Sequence, residues 1–465
     1  MKITAVIAEY NPFHNGHSYQ LEEIRRTQGA DYILVIMSGN FVQRGTPAVC
    51  DKFSRAKMAL ACGADAVLEL PVYWSVSSAE NFARGAVALL DALGCIDSMC
   101  FGCENPEIFT GEHPLLLHTA DLLNKEPDSF RKLIAEYQKE GLSYPAAKTK
   151  ALKNHLNTSD AADITPGKHP GLSNTANTVQ EKTDRFLTGL NAPNNLLGFE
   201  YARAIAYFHS SIKAAPVLRK GSSYHEETIL NKYPSSSALR RFLLSQELSY
   251  PDVPEDTSLC DPSGTMPAEA VRILQEAMPA EAVRILQEAM LQQPLLSENA
   301  LSVPLHFTLL RAEPAILSDY YDCNEQIVRR ILKHAGSFLP WTDFCQTLKT
   351  KNYTHTRISR CLLHILLGIK ESDIKAAKSD GYVRYARILG FRDSAKPLLT
   401  AFKKYASVPL ITNIGRVRRK LPEQTLQMLE ADLHASDIYR CLAKHSDPQK
   451  ILLSDYKNGV IRYKK

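Results

Sequence analysis

Two rhythms of apolar and polar positions run through the first hundred residues. Ile3–Ala8, Tyr32–Met37, Asp65–Leu70 and Asp97–Phe101 are short runs dominated by apolar residues, as expected of strands buried on both faces. Between them, His17 to about Thr27, Asp51–Cys62 and Ala79–Leu93 carry apolar residues at three- and four-residue spacing, which predicts helices. Phe53, Ala56, Met58, Ala59 and Leu60 form the apolar side of the second one. Strands alternating with helices of this length predict βαβ units, hence an α/β fold with a doubly wound parallel sheet. Ligands of such sheets bind in the crevice at the carboxyl ends of the strands. That expectation gathers Asn11–His17, Ser38–Arg44 and Gly102–Asn105 around one crevice.

The pattern then changes. Residues 114–153 look helical, and a stretch of about 154–184 is rich in Asn, Thr, Ser, Pro and Gly, the composition of a polar insertion. Leu196–Tyr207 reads as a helix, Ala214–Leu218 as a fifth strand and Ser235–Gln246 as a helix with serines at its cap. Residues 249–265 are rich in Pro, Asp and Ser, and the twelve residues Met266–Ala277 recur unchanged as Met278–Ala289. Pro279 would break any helix running through both copies, so the duplication is expected to be a surface connection without catalytic content. From Leu301 the chain is helical in pattern. The expected organisation is an α/β domain over 1–248, a variable linker over 249–300 and a mostly helical C-terminal region over 301–465.

Composition narrows this little, being 45% hydrophobic and 23% charged over 465 residues, ordinary globular usage. No apolar run is long enough to span a bilayer. The N-terminal apolar run is interrupted at Glu9 and reads as a strand, not a signal peptide. Ten scattered cysteines read as reduced residues, and together these features predict a cytoplasmic protein without a membrane partner. Cys100-Phe101-Gly102-Cys103 lacks a second pair at zinc spacing, so no metal site is expected there. Charge is more telling. Residues 351–465 hold 23 Lys and Arg against 10 Asp and Glu, while the rest of the chain is mildly acidic. A basic C-terminal quarter suggests a polyanion partner.

The segment with chemical content is Glu9-Tyr10-Asn11-Pro12-Phe13-His14-Asn15-Gly16-His17. It follows a buried strand, opens a helix and has the form H-x-G-H. Gly16, without Cβ, would let a nucleotide approach the backbone. The helix start directs free N–H groups at phosphate, and His14 and His17 could stabilise charge on a transferred phosphoryl group. A zinc site is disfavoured because neither HExxH spacing nor a third ligand cluster is present. Pro234-Ser235-Ser236-Ser237-Ala238-Leu239-Arg240-Arg241 opens a later helix. There Ser235, Ser236 and Arg240 could add phosphate contacts.

At these two motifs the chain resembles the HxGH nucleotidylyltransferase superfamily, with Pro234 and Ser237 departing from its second signature. More specifically it looks like the bacterial tRNA(Met) cytidine acetate ligase family. The matching stretches are Ala8–His17, Met37–Gly45, Phe101–Glu104, Ser143–Ala147, Pro193–Gly198, Arg219 with Tyr224-His225, and Ala406–Leu410. The resemblance implies an ATP-dependent enzyme that activates acetate as acetyl-adenylate. It then acetylates N4 of the wobble cytidine of elongator methionine tRNA, releasing AMP and pyrophosphate. It also implies His14 and His17 as catalytic residues. Ile7, Asn11, Gly16, Gln20, Gly102, Asn194 and Arg219 join them at ATP, with Mg2+ expected to accompany the nucleotide.

For the RNA, the basic residues Arg416, Arg418, Arg419 and Lys420 form one expected contact cluster. Arg384 and Arg387, with Tyr385, Arg392 and Lys396 nearby, form another. Two other readings of the same residues stay open. One is an adenylyltransferase making a small dinucleotide-like cofactor, and the other is a non-catalytic RNA-binding protein.

Overall fold

Ile3, Ala5 and Ile33–Met37 have no exposed surface, and the strands they form lie side by side as the interior of a parallel sheet. The computed structural model describes residues 1–110, 113–142, 144–158, 176–190, 192–220, 232–245, 266–444 and 452–464. Most of the polar insertion, the 249–265 stretch, Ser143 and Tyr224-His225 lie outside them. The chain forms two compact units, one of residues 1–97, 220–349 and 354–465, the other of residues 98–219 and 350–353.

The first unit begins with strand β1 (Ile3–Ala8), helix α1 (Asn15–Glu23) and strand β2 (Tyr32–Ser38). Past Glu23 the expected helix widens into π-type hydrogen bonding over Ile24–Gln28, and Gly29 at φ 58° ends it. A small antiparallel hairpin of β3 (Phe41–Val42) and β4 (Thr46–Pro47) follows. Helix α2 (Lys52–Ala61) starts at Asp51, whose carboxylate accepts the N–H groups of Phe53 and Ser54. Then come strand β5 (Ala66–Leu70) and helices α3 (Val72–Ser75) and α4 (Ala79–Leu93). β1 pairs with β2 and β2 with β5, both parallel, as the sequence pattern predicts.

The second unit carries a parallel pair, β6 (Ser98–Cys103) and β7 (Lys213–Leu218). Its helices are α5 (Pro114–Lys125), α6 (Asp128–Lys139), α7 (Tyr144–Thr158), α8 (Ala176–Leu190) and α9 (Pro193–Tyr207). Here too the expected fourth and fifth strands are present.

Back in the first unit come α10 (Ser236–Leu244), then α11 (Ala268–Ala277) and α12 (Ala280–Met290), one for each duplicated copy. Pro279 separates the two, as expected, standing at the N-cap of α12. The copies are more than a surface connection, however. Ile273, Leu274, Ala282, Val283, Ile285 and Leu286 are all buried, α12 packs on α2, and Gln293 beyond it donates to Asp51.

The remaining elements are helices α13 (Ser302–Arg311), α14 (Glu325–His334), α15 (Trp341–Leu348), α16 (His355–Leu367) and α17 (Glu371–Ser379), then strand β8 (Ala386–Arg392) and helix α18 (Lys396–Tyr405). Strand β9 (Leu410–Ile411), helices α19 (Ile414–Val417) and α20 (Glu423–Leu442) and strand β10 (Ile461–Tyr463) complete the chain.

The C-terminal region is mostly helical, but it is not a separate module. β8 pairs antiparallel with β5 and carries β9 and β10 as parallel neighbours. The N-terminal sheet is therefore completed by strands from the last hundred residues.

The junction is held by charge. Lys52 Nζ sits 2.7 Å from both Glu69 and Asp455, and Arg387 bridges the same two carboxylates at 2.8 and 2.7 Å, all four side chains being buried. Beside them Asp432 accepts from Val72 N–H and from the Tyr385 hydroxyl. Among the described residues no helix is long and apolar enough to cross a membrane.

Candidate functional site

The loop leaving β1 is held in one shape by groups from α2 and from the residues just before it. Tyr10 adopts a positive φ of 45°, a region that costs a bulky residue energy and needs support from its surroundings. Asn11 is buried and its side chain accepts from Val49 N–H at 2.8 Å. The Arg55 guanidinium, wholly buried, donates to the carbonyls of Cys50, Glu9, Ser38 and Gly39. It thereby clamps the carboxyl ends of β1 and β2 together. Nothing in the sequence pattern singles out Arg55, because its partners are backbone carbonyls.

His14 is the N-cap of α1 and buried. Its Nδ1 accepts the Gly16 N–H at 3.1 Å, and its own backbone N–H donates to His17 Nδ1 at 3.2 Å. Each imidazole thus uses Nδ1 as an acceptor, which assigns the proton of a neutral ring to Nε2. The two rings stack with centroids 3.7 Å apart, backed by Tyr10 and Phe13. The pair is therefore a rigid plate with Nε2–H donors at the positive end of a helix, suited to developing negative charge.

The role of Gly16 differs from the sequence expectation. A Cβ there would come 3.0 Å from His14 Cε1 and 3.1 Å from Nδ1, so the bare α-carbon makes room for the His14 ring itself. Ile7 and Gln20 are half-buried, near the end of β1 and one turn beyond His17.

The second motif meets the first. His14 Nε2 lies 3.0 Å from Ser236 Oγ, and Arg240 donates to the Asn11 carbonyl at 2.8 Å and to Ser237 Oγ at 3.2 Å. Ser235 caps α10 by accepting Ala238 N–H. Burial pulls the Arg240 pKa below its ordinary value, with the Glu9 carboxylate opposing. A partly desolvated cation held by neutral groups gains from an incoming anion. Asn15 is tied in turn to the carbonyls of Lys232 and Glu276, so the first duplicated copy contacts the loop.

In the second unit, Gly102, Asn194 and Arg219 form their own cluster. Asn194 donates to Glu104 at 2.5 Å and accepts from Arg219 at 2.8 Å. A Cβ on Gly102 would sit 3.1 Å from Arg219 Cγ, so this glycine accommodates the arginine stem. The buried Asn195, missed in the sequence, accepts the N–H groups of Glu104 and Asn105 and anchors that turn to α9. Among the described residues no three His, Cys, Asp or Glu side chains converge to hold a metal ion.

The two basic clusters part ways. Arg416, Arg418, Arg419 and Lys420 are exposed, with Arg418 paired to Glu430 at 2.5 Å. Arg384 and Arg387 are buried. Arg384 is committed to Asp380 and the carbonyls of Gln424 and Ala376, and Arg387 to Glu69 and Asp455. These two are therefore corrected from RNA contacts to internal braces, since a phosphate reaches neither guanidinium.

Comparison with known proteins adds to this geometry. The profile of the HIGH Nucleotidyl Transferase family matches residues 1–452. The tRNA(Met) cytidine acetate ligase of Acetivibrio thermocellus is 33% identical, covering 94% of both chains. That of Halothermothrix orenii is also 33% identical, over 97% of this chain and 96% of its own. Two crystal structures of Thermotoga maritima TmcAL are 26% identical and match all of both chains. The one bound with alpha-thio ATP has a TM-score of 0.81 and the apo one 0.83.

Proposed function

The chain belongs to the HIGH nucleotidyl transferase family and, within it, to the tRNA(Met) cytidine acetate ligases, and from that premise we propose how its residues perform the reaction. ATP and acetate are condensed first. A carboxylate oxygen of acetate attacks the α-phosphorus, the α–β phosphoanhydride bond breaks, and pyrophosphate leaves with its electron pair. The N4 amine of the wobble cytidine of elongator methionine tRNA then attacks the acetyl carbonyl carbon. AMP departs, and the amine loses a proton.

The observation that carries this reading is the stacked His14–His17 pair at the start of α1, braced by Ser236. Its Nε2–H groups and the positive end of the α1 dipole stabilise charge on the α-phosphate and on leaving pyrophosphate. Asn11, Ser235 and Arg240 complete the phosphate end, while Ile7, Gly16 and Gln20 flank it. Gly102, Asn194 and Arg219 are assigned to nucleotide binding as well, as a cluster testable by itself. Mg2+ enters with ATP as part of the substrate. Arg416, Arg418, Arg419 and Lys420 contact the RNA backbone. No side-chain nucleophile is needed, because positioning and charge stabilisation supply the rate.

The test is release of pyrophosphate and AMP with acetate and tRNA each present or omitted. Dependence on both, with label from acetate appearing on cytidine, is expected. Turnover with a small phosphorylated acceptor in place of tRNA would overturn the reading.

A further inference from the structure

We propose that the cleft between α18 and β10 grips the sugar–phosphate backbone of RNA, at a contact separate in sequence from Arg416–Lys420. The proposal rests on the tRNA reading above and adds a place for the RNA of which the sequence analysis names only Lys396.

The cleft arises from two periodicities. Strand β10 runs parallel to β8 with Ile461, Arg462 and Tyr463 opposite Gly390, Phe391 and Arg392. Successive side chains of a strand point to opposite faces. Ile461 lies with Leu60 of α2 against Gly390, and Tyr463 lies under the Arg392 guanidinium, so Arg462 and Lys464 fall on the other face. There α18 presents Lys396, Thr400 and Lys403, spaced four and three residues apart and hence on one helical face.

Together with Phe391, Asp393 and Leu399 these residues line an open cleft of about 340 Å³. It holds four cations and one carboxylate. Lys396, Lys403, Arg462 and Lys464 are all exposed, and none has an ion-pair partner among the described residues.

Unpaired cations over an apolar floor attract anions more strongly than cations scattered in water. The two rows are also extended. Lys396 and Lys403 are separated by roughly 10 Å of helix rise, and Arg462 and Lys464 by roughly 7 Å of strand. Such rows suit consecutive phosphates of a chain better than a single phosphate. No base-stacking aromatic is exposed between them, since Tyr463 faces the other way. The cleft therefore positions RNA without reading its sequence.

The test uses the full chain and a labelled methionine tRNA transcript, with affinity measured by anisotropy from about 50 to 200 mM salt. In the double variant Lys396→Gln/Arg462→Gln, binding is expected to weaken, and the slope of log K against log salt to shrink by about 1.5, the loss of two phosphate contacts. The independent pair Lys403→Gln/Lys464→Gln is expected to behave alike, with wild-type melting temperatures confirming that both are folded. An unchanged slope in either pair, while the wild-type chain binds and acetylates tRNA, overturns the cleft and leaves the proposed function standing. A wild-type chain that binds no tRNA overturns both.

Discussion

His14 Nε2 and Ser236 Oγ meet at 3.0 Å across 222 positions of sequence, so the first turns of α1 and α10 are locked to each other. The histidine supplies charge stabilisation and the serine fixes its ring. His14→Ala is expected to lower kcat for acetate-dependent AMP formation by about 10²–10³-fold, the usual weight of a lost transition-state donor. Ser236→Ala is expected to cost about tenfold, in keeping with one neutral hydrogen bond. Steady-state kinetics of both variants, with equal losses, would contradict this division of roles.

Gly16→Ala separates stability from activity. Alanine is the better helix former, although Gly16 stands half-buried in the first turn of α1, where that preference is small, and its Cβ would press on the His14 ring at 3.0 Å. The variant is expected to melt no lower than wild type and to lose at least about tenfold in turnover, equivalent to 1.4 kcal/mol of barrier. Full activity would show that the ring can move aside without consequence.

Arg55→Met leaves the carbonyls of Cys50, Glu9, Ser38 and Gly39 without their buried donor. A loss of about 3 kcal/mol or more in unfolding free energy is expected, read from urea denaturation. Arg55→Lys keeps the charge but lacks the planar fork, and it is expected to fall between the two.

The buried charges at the sheet junction give stability a pH dependence of two signs. Burial, aided by the Glu69 charge, raises the Asp432 pKa to about 7, with Tyr385, Val72 and Lys52 opposing. An unfolded aspartate titrates near about 4, so between these values the folded state holds a proton that the unfolded chain has lost. The stabilisation from Asp432 is thus full below about pH 4 and fades as pH rises through 7. Burial also works to raise Asp455, but Lys52 and Arg387 overcome it and hold that carboxyl below the usual range. Its stabilisation is present above about pH 4 and is lost on acidification. Asp432→Asn is expected to flatten the decline in urea midpoint between about pH 4 and 7. An unaltered decline would remove Asp432 as its source.

The parts of this fold visible in the sequence are those whose cause is local. Strands β1, β2 and β5 are buried on both faces, so every residue in them reports the environment. The His14–His17 motif lies within a single turn. β8 is the opposite case. Its Arg387 looks like a surface charge because the carboxylates that admit it to the interior, Glu69 and Asp455, lie 318 and 68 positions away. The duplicated segment shows both sides. Pro279 announces the break between α11 and α12, whereas the packing of α12 on α2 depends on a surface that no local pattern describes.

Strand β8 enters the sheet beside β5, and Asp455 closes the charge cluster on Lys52. During synthesis, the N-terminal half therefore emerges with a cation and a carboxylate destined for the interior but with half of their partners still untranslated. The β5 edge waits open over the same interval. Pairing so remote in sequence makes closure of the sheet a late event. A nascent chain halted before Asp455 offers an unfinished strand edge, the kind of surface that draws chaperones or other copies of itself.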